Sequence, residues 1–197
     1  MKKIFVSMML VIASSVLFGQ VSIKETFETN KYQWDEYFEK NCSSSVENGY
    51  LLLSNKDKDT FITAVGDMPI NKERNFKAKF DITSKVSDDF WFGIVYNYED
   101  ESNYSCFLVK EKRYKIINRT NGVSSTSRQG GIILNAGKAG KESNVEFVIE
   151  KKGTRLIFNV DNMEVISISK VLDFTTFGFY VEGNNSIKVT EVQIDQK

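Results

Sequence analysis

From residue 20 onward apolar and polar residues alternate along the chain with a period of two, and no long window carries the 3.6-residue period of an amphipathic helix. In Phe76-Lys77-Ala78-Lys79-Phe80-Asp81-Ile82-Thr83 every even position is apolar and every odd one polar, the pattern of a strand with one face on a core and one in water. Val145, Phe147 and Ile149 repeat it against Glu146 and Glu150. Further strands are predicted over 22–27, 49–54, 60–65, 90–98, 104–109, 114–118, 155–160, 164–169, 176–182 and 186–195. About a dozen short strands at this spacing predict an all-β fold, a sandwich or a barrel.

Turn chemistry agrees with this division. Lys151-Lys152-Gly153-Thr154 and Asp161-Asn162 each separate two strands with residues that accept positive φ, so 145–168 reads as a three-stranded meander. In the last strand Ile187 and Val189 hold odd positions whereas Val192 and Ile194 hold even ones, which predicts a β-bulge near Thr190-Glu191. Phe90-Trp91-Phe92-Gly93-Ile94-Val95-Tyr96-Asn97-Tyr98 is apolar on both faces and belongs in the middle of a sheet, its second face covered or used for binding. The 119–143 segment, with Gly122, Gly130, Gly131, Gly137 and Gly140, reads as a flexible surface connection. No Gly-Lys-Ser/Thr follows its glycines, so it is not read as a phosphate cradle.

The amino terminus has a different character. Lys2 and Lys3 precede an apolar run over 4–17, followed by Phe18-Gly19-Gln20, the layout of a cleavable signal peptide over 1–19. The run is shorter than the roughly 20 residues that cross a bilayer as a helix, and no second such run follows. A secreted or periplasmic protein with no membrane span is therefore expected, with residues 20–197 forming a single mature domain; Pro69 is the sole proline and no linker-like stretch divides it. Basic and acidic residues number 26 each and are interspersed, so the phosphate-neutralising cluster that nucleic-acid binding needs is missing. In an oxidising compartment Cys42, in a polar Asn-Cys-Ser-Ser-Ser loop, and Cys106, in a strand, either form a disulfide or stay as thiols. The bridge would be worth about 4 kcal/mol.

The order of motifs resembles the concanavalin A-like lectin/glucanase superfamily, in its laminin-G-like and keto-disaccharide-hydrolase-like jelly rolls. An opening with Trp34 leads to Gly49-Tyr50-Leu51-Leu52-Leu53, Phe76-x-Ala78-x-Phe80 and Phe92-Gly93-Ile94-Val95-Tyr96. Asn103-Tyr104-Ser105-Cys106-Phe107-Leu108, Asn144-Val145-Glu146-Phe147, Leu156-Ile157-Phe158-Asn159-Val160 and Phe177-Gly178-Phe179-Tyr180-Val181 complete the series. The resemblance implies an all-β, two-sheet antiparallel jelly-roll sandwich with one concave sheet, and carbohydrate or protein binding on that face or its rim. It also brings in calcium, for which Glu25, Glu28, Asp195 and the Glu99-Asp100-Glu101 loop offer oxygen ligands without a dedicated calcium-loop spacing. No motif calls for any other cofactor.

The chain has no histidine, which removes imidazole-based triads and the usual catalytic zinc sites. The Glu-x-Asp-x-x-Glu run with which glucanases of the superfamily place two carboxylates on one strand is missing too; Glu191-Val192-Gln193-Ile194-Asp195 has the parity but not the middle acid. A non-catalytic binding module for carbohydrate is therefore expected. An envelope structural or protein-interaction domain is the alternative, and a glycoside hydrolase the third reading. Inward-pointing Phe90, Phe92, Ile94 and Tyr96 leave Trp91, Val95 and Asn97 on the other face; inward Phe177, Phe179 and Val181 leave Tyr180 and Glu182 there. Trp91, Asn97, Tyr180 and Glu182 are thus the candidate saccharide site, aromatic rings stacking on sugar faces and amide or carboxylate groups taking hydroxyls. The competing reading is that Trp91 and Tyr180 pack beneath the 119–143 connection.

Overall fold

The computed structural model describes residues 20–87, 89–132, 134 and 141–197; the segment read as a signal peptide and the end of the 119–143 connection lie outside them. Among the described residues there are fifteen strands and no helix. In chain order they are β1 Val21–Glu25, β2 Tyr37–Phe38, β3 Cys42–Glu47, β4 Tyr50–Asn55, β5 Phe61–Gly66, β6 Phe76–Lys85, β7 Phe92–Asp100 and β8 Asn103–Lys110. Then follow β9 Arg113–Thr120, β10 Val123–Gly131, β11 Glu142–Lys152, β12 Arg155–Val160, β13 Met163–Ser169, β14 Phe177–Glu182 and β15 Asn185–Gln196. All ladders are antiparallel. One sheet runs β13-β12-β11-β6-β15-β4-β3-β2 with β1 also on β15, and the other runs β10-β9-β8-β7-β14-β5. This is a two-sheet jelly-roll sandwich.

The inward rows of the two sheets form one aromatic core. Phe80 meets Phe177 and Phe179 edge to face at 5.4 and 5.9 Å, and Phe107 lies 4.9 Å from Phe158 and 6.0 Å from Phe147. Such a ring, fully buried, contributes about 1.5–3 kcal/mol through burial, and the edge-to-face geometry adds to it. The outward face of the nine-stranded sheet is solvated and charged: the Lys79 ammonium lies between the Asp81 and Glu146 carboxylates at 3.3 and 2.9 Å.

The turns and the bulge behave as their sequences require. Asp161 and Asn162 have φ of 50° and 65°, both in the left-handed region of a two-residue hairpin. The β15–β6 register shifts between Val189 and Glu191, where the apolar parity changes. Two segments differ from the sequence reading. The polar run at Cys42 is strand β3, not a loop, and Val123–Gly131 of the 119–143 connection is strand β10, paired with β9 along its length.

The two cysteines do not form a disulfide. Cys42 stands on β3 of the nine-stranded sheet, whereas the Cys106 side chain leaves the opposite sheet on the face away from the core, packed with Val95, Leu108, Tyr104 and Tyr180. Cys42 packs against the core from one sheet while Cys106 points away from the core on the other, so their side chains are not directed at each other as a bridge requires. Burial pushes the Cys106 thiol well up, and partial burial and the Glu39 carboxylate, 3.5 Å from its sulfur, raise Cys42. A thiol titration is expected to count one reactive cysteine in the native protein, Cys42, and the second only in denaturant. Equal native reactivity of both would contradict this placement.

Candidate functional site

The outward face of the six-stranded sheet is built unlike that of its partner. Its middle strands present Val95 from β7 and Cys106 and Leu108 from β8, all fully buried although no second layer of strands covers them. Curvature explains the burial. The Arg119 guanidinium of β9 stands 5.6 Å from the ring of Phe61 on β5, four strands away, and the Lys115 ammonium of β9 reaches Glu182 Oε2 on β14, three strands away, at 3.2 Å. On a flat sheet four steps span about 19 Å at 4.7–4.9 Å each. These contacts close because the sheet curls toward this face, making it concave and shielding its floor.

Three of the four residues expected at the site come together here. β14 runs beside β7 with the Glu182 N–H donating to the Trp91 carbonyl at 2.9 Å, which sets the Trp91 and Glu182 side chains next to each other. The Tyr180 hydroxyl donates to Glu182 Oε2 at 3.0 Å, and its ring stacks on Phe61 at 5.1 Å. Burial and the neighbouring Glu182 charge hold the Tyr180 phenol well above its ordinary range. Trp91 is half-buried beneath the ammonium groups of Lys115, at 4.3 Å from its ring, and Lys110, at 4.9 Å, both within cation–π range. Burial lowers the Lys115 pKa, an effect opposed by its ion pair with Glu182. Two clefts open on either side of this cluster. One of about 530 Å³ lies over Phe61, Lys115, Ile117, Tyr180 and Glu182, with Ser124 to Thr126 of β10 on one wall and Asp59 on another; the second, of about 540 Å³, runs from Trp91 to Tyr114 and Gly130. β10 therefore flanks Trp91 and Tyr180 as a strand of the same sheet.

Asn97 is the exception. It lies six residues, about 20 Å, along the strand from Trp91, at a bulge where its φ is 52° and the β7–β8 register breaks. Its side-chain oxygen accepts the N–H groups of Asp173 and Phe174 at 2.8 and 3.0 Å, so Asn97 clamps the segment between β13 and β14 and does not join the concave cluster. Strict alternation placed it on the Trp91 face; the bulge turns it away.

Phe61, Lys115, Arg119 and the Ser124–Thr126 wall were not foreseen. Phe61 and Lys115 hold outward positions of predicted strands, so parity alone could have found them, but the β10 wall depends on a strand without apolar alternation.

Two of the carboxylates named for calcium have polar partners within the protein. Glu25 is buried with Oε1 accepting the Phe27 N–H at 2.6 Å, and Asp195 Oδ2 takes the Gln193 amide at 3.1 Å. Among the described residues no three His, Cys, Asp or Glu side chains converge to hold a metal.

In sequence the chain matches no protein-family model and no curated protein. In structure it superposes on a protein of unknown function with a galectin-like fold from Bacillus subtilis, with a TM-score of 0.64 at 9% identity over 88% of this chain and 94% of that one. A β-glucanase from Bacillus licheniformis gives 0.58 at 10% identity over 88% and 97%. The shared fold is the two-sheet antiparallel jelly roll. A xylan β-1,4-xylosidase from Bacillus halodurans carries a similar jelly roll, with a TM-score of 0.59 at 13% identity over 87% of this chain and 38% of the xylosidase. At these identities the likeness describes the jelly-roll architecture, and the site has to be argued from its own residues.

Proposed function

We propose that the protein is an exported, non-catalytic module that binds carbohydrate on the concave face of its six-stranded sheet. The observation that carries the reading is the composition of that face: an apolar floor, the Phe61 and Tyr180 rings with an ion pair and hydroxyls around an open cleft of about 530 Å³, and the Trp91 ring in the neighbouring cleft of about 540 Å³. Aromatic rings offer area to the apolar faces of sugars, while Lys115, Glu182 and the serine and threonine wall offer donors and acceptors to hydroxyls. Such a mix of apolar area with a few convergent polar groups is what small-ligand sites share. Jelly rolls named as glucanase and xylosidase support carbohydrate as the ligand class.

The carboxylates favour binding over turnover. Glu182 and Asp59 line the cleft, yet Glu182 Oε2 is already engaged by Tyr180 and Lys115, whereas a glycosidase needs one carboxylic acid free to donate a proton and a second free to attack or activate water. The amino-terminal layout supports export.

A panel of β-glucan and xylan oligosaccharides titrated into the protein tests the reading. Binding to at least one is expected, with Trp91 fluorescence changing on saturation and Trp91→Ala weakening binding by about tenfold or more, which is about 1.4 kcal/mol. No reducing ends should appear on prolonged incubation. Release of sugar that stops in Glu182→Gln or Asp59→Asn would overturn the non-catalytic reading, and silence across the panel would move the face to a protein partner.

A further inference from the structure

A second cleft, of about 300 Å³, opens at the end of the sandwich, where the inward rows of β8 and β9 change from apolar Phe107 and Ile116 to polar Ser105 and Asn118. Ser105 donates to Asn118 Oδ1 at 2.9 Å, and into this pair reaches Lys170 from the segment after β13. The Lys170 ammonium donates to Ser105 Oγ at 2.7 Å and to Asn118 Oδ1 at 3.5 Å, and lies 5.4 Å from the Tyr96 ring. Among the described residues it forms no ion pair with a carboxylate, although Asp173 is near enough to act on it through space. A half-buried ammonium held by neutral oxygens is short of negative charge.

The rest of the cleft is suited to a sugar. Arg119 adds a second cation, Glu99 and Asp173 add acceptors, and Asn103 and Thr120 further polar groups. Phe174 lines the cleft and is 37% exposed, one of seven large apolar residues left open on the surface among the described residues. The Asn97 clamp on Asp173 and Phe174 fixes that ring relative to Lys170. Ligand sites run from about 300 to 1,000 Å³, so this volume suits one unit rather than a chain.

We propose that this cleft is a binding site for a single carboxylate-bearing sugar, a hexuronate at the end of a glycan, with the carboxylate on Lys170, the ring against Phe174, and hydroxyls on the amides and acids around them. The cleft borders the concave face and shares Arg119 with it, but Lys170 and Phe174 lie outside the concave cluster, so the proposal does not depend on what binds there.

Titration calorimetry with the methyl glycosides of glucuronate and galacturonate, their methyl esters, methyl glucoside and acetate tests this. One of the two uronides is expected to bind, with its ester, methyl glucoside and acetate at least about tenfold weaker, or about 1.4 kcal/mol. Lys170→Met is expected to weaken uronide binding by a similar factor, Phe174→Ala to weaken it without touching the core, and Trp91→Ala to leave it unchanged. Four results would overturn the proposal: no binding of either uronide, an ester or glucoside bound as well as the acid, acetate bound as tightly as the uronide, or binding that survives both Lys170→Met and Phe174→Ala. Uronide binding lost in Trp91→Ala but kept in Lys170→Met would place the sugar on the concave face and overturn it equally.

Discussion

Trp34→Ala is expected to cost about 3–5 kcal/mol of stability, the range for removing a fully buried large aromatic. Trp34 lies in the loop between β1 and β2, yet only 1% of its surface is exposed, and its ring meets Phe27 at 5.5 Å and Phe179 at 5.3 Å. The local chain is organised around it. Asn30 closes the loop, accepting the Trp34 N–H at 2.7 Å and donating to its carbonyl at 2.9 Å, and Asp35 docks the loop on β5 through Val65, as acceptor and donor at 3.0 Å each. Gly66 has no side chain because the indole occupies the space: a Cβ there would lie 2.5 Å from the ring. Alanine would leave a cavity bounded by backbone on one side, which cannot collapse to fill it. For a domain of this size the loss lowers the melting temperature by about 10 °C, readable by calorimetry. Trp34→Phe should cost much less, since it keeps most of the ring and removes an indole N–H that is buried without a partner. A Trp34→Ala variant within 1 kcal/mol of wild type would mean that the loop is not integral to the core.

Which features of this architecture were legible in the sequence follows from what period-two alternation encodes. It encodes burial of one face, so β6, β11 and β12, each with one face on the core, stood out, and the parity change in β15 announced its bulge. It encodes nothing for a strand with little to bury. β10 reads Val-Ser-Ser-Thr-Ser-Arg-Gln-Gly-Gly and β3 reads Cys-Ser-Ser-Ser-Val-Glu, and both took the appearance of loops. The signal that identifies them is in the turns: Asn48-Gly49 and Asn121-Gly122 are Asn-Gly pairs with all four residues at positive φ, the strongest short-range mark of a hairpin, and each requires a strand on both sides.

The candidate site divides in the same way. Trp91, Tyr180 and Glu182 were assigned to the second face by parity alone, and they meet there because β7 and β14 are neighbours without interruption along that stretch. Asn97 was assigned by the same rule and fails it, since the irregularity sets three residues of β7, Asn97 to Glu99, against the single Tyr104 of β8 and breaks the alternation there. Curvature was beyond any pattern of this kind. That Lys115 and Arg119 reach across three and four strands is a property of the whole sheet.

Gly93→Ala is expected to destabilise the protein by roughly 2–6 kcal/mol and to disturb the concave face at the same time, combining about 1–3 kcal/mol of backbone strain with an overpacking cost of similar size. Gly93 is the second residue of β7, between Trp91 and Val95, at φ 156°, with Leu108 opposite it on one side and Tyr180 on the other. A Cβ there would come within 2.3 Å of the Phe107 carbonyl oxygen and 3.1 Å of the Leu108 Cα. Both obstacles are backbone of the neighbouring strand, so no rotamer change relieves the contact; β7 and β8 would have to separate. The hydrogen bond from Glu182 to the Trp91 carbonyl lies two residues away on the other edge of β7, and the floor residues Val95, Cys106 and Leu108 lie on either side of the strain. Urea denaturation should show the loss in stability. Below the transition, the Trp91 emission and the protection of the Cys106 thiol should both change, because they report the packing of this one face. Unchanged stability would show that the two strands have room for a methyl group at this point and that the glycine serves some purpose other than their close approach. Unchanged Trp91 emission and thiol protection in a destabilised variant would show that the floor tolerates separation of β7 and β8, and that the concave site is set by the flanking strands.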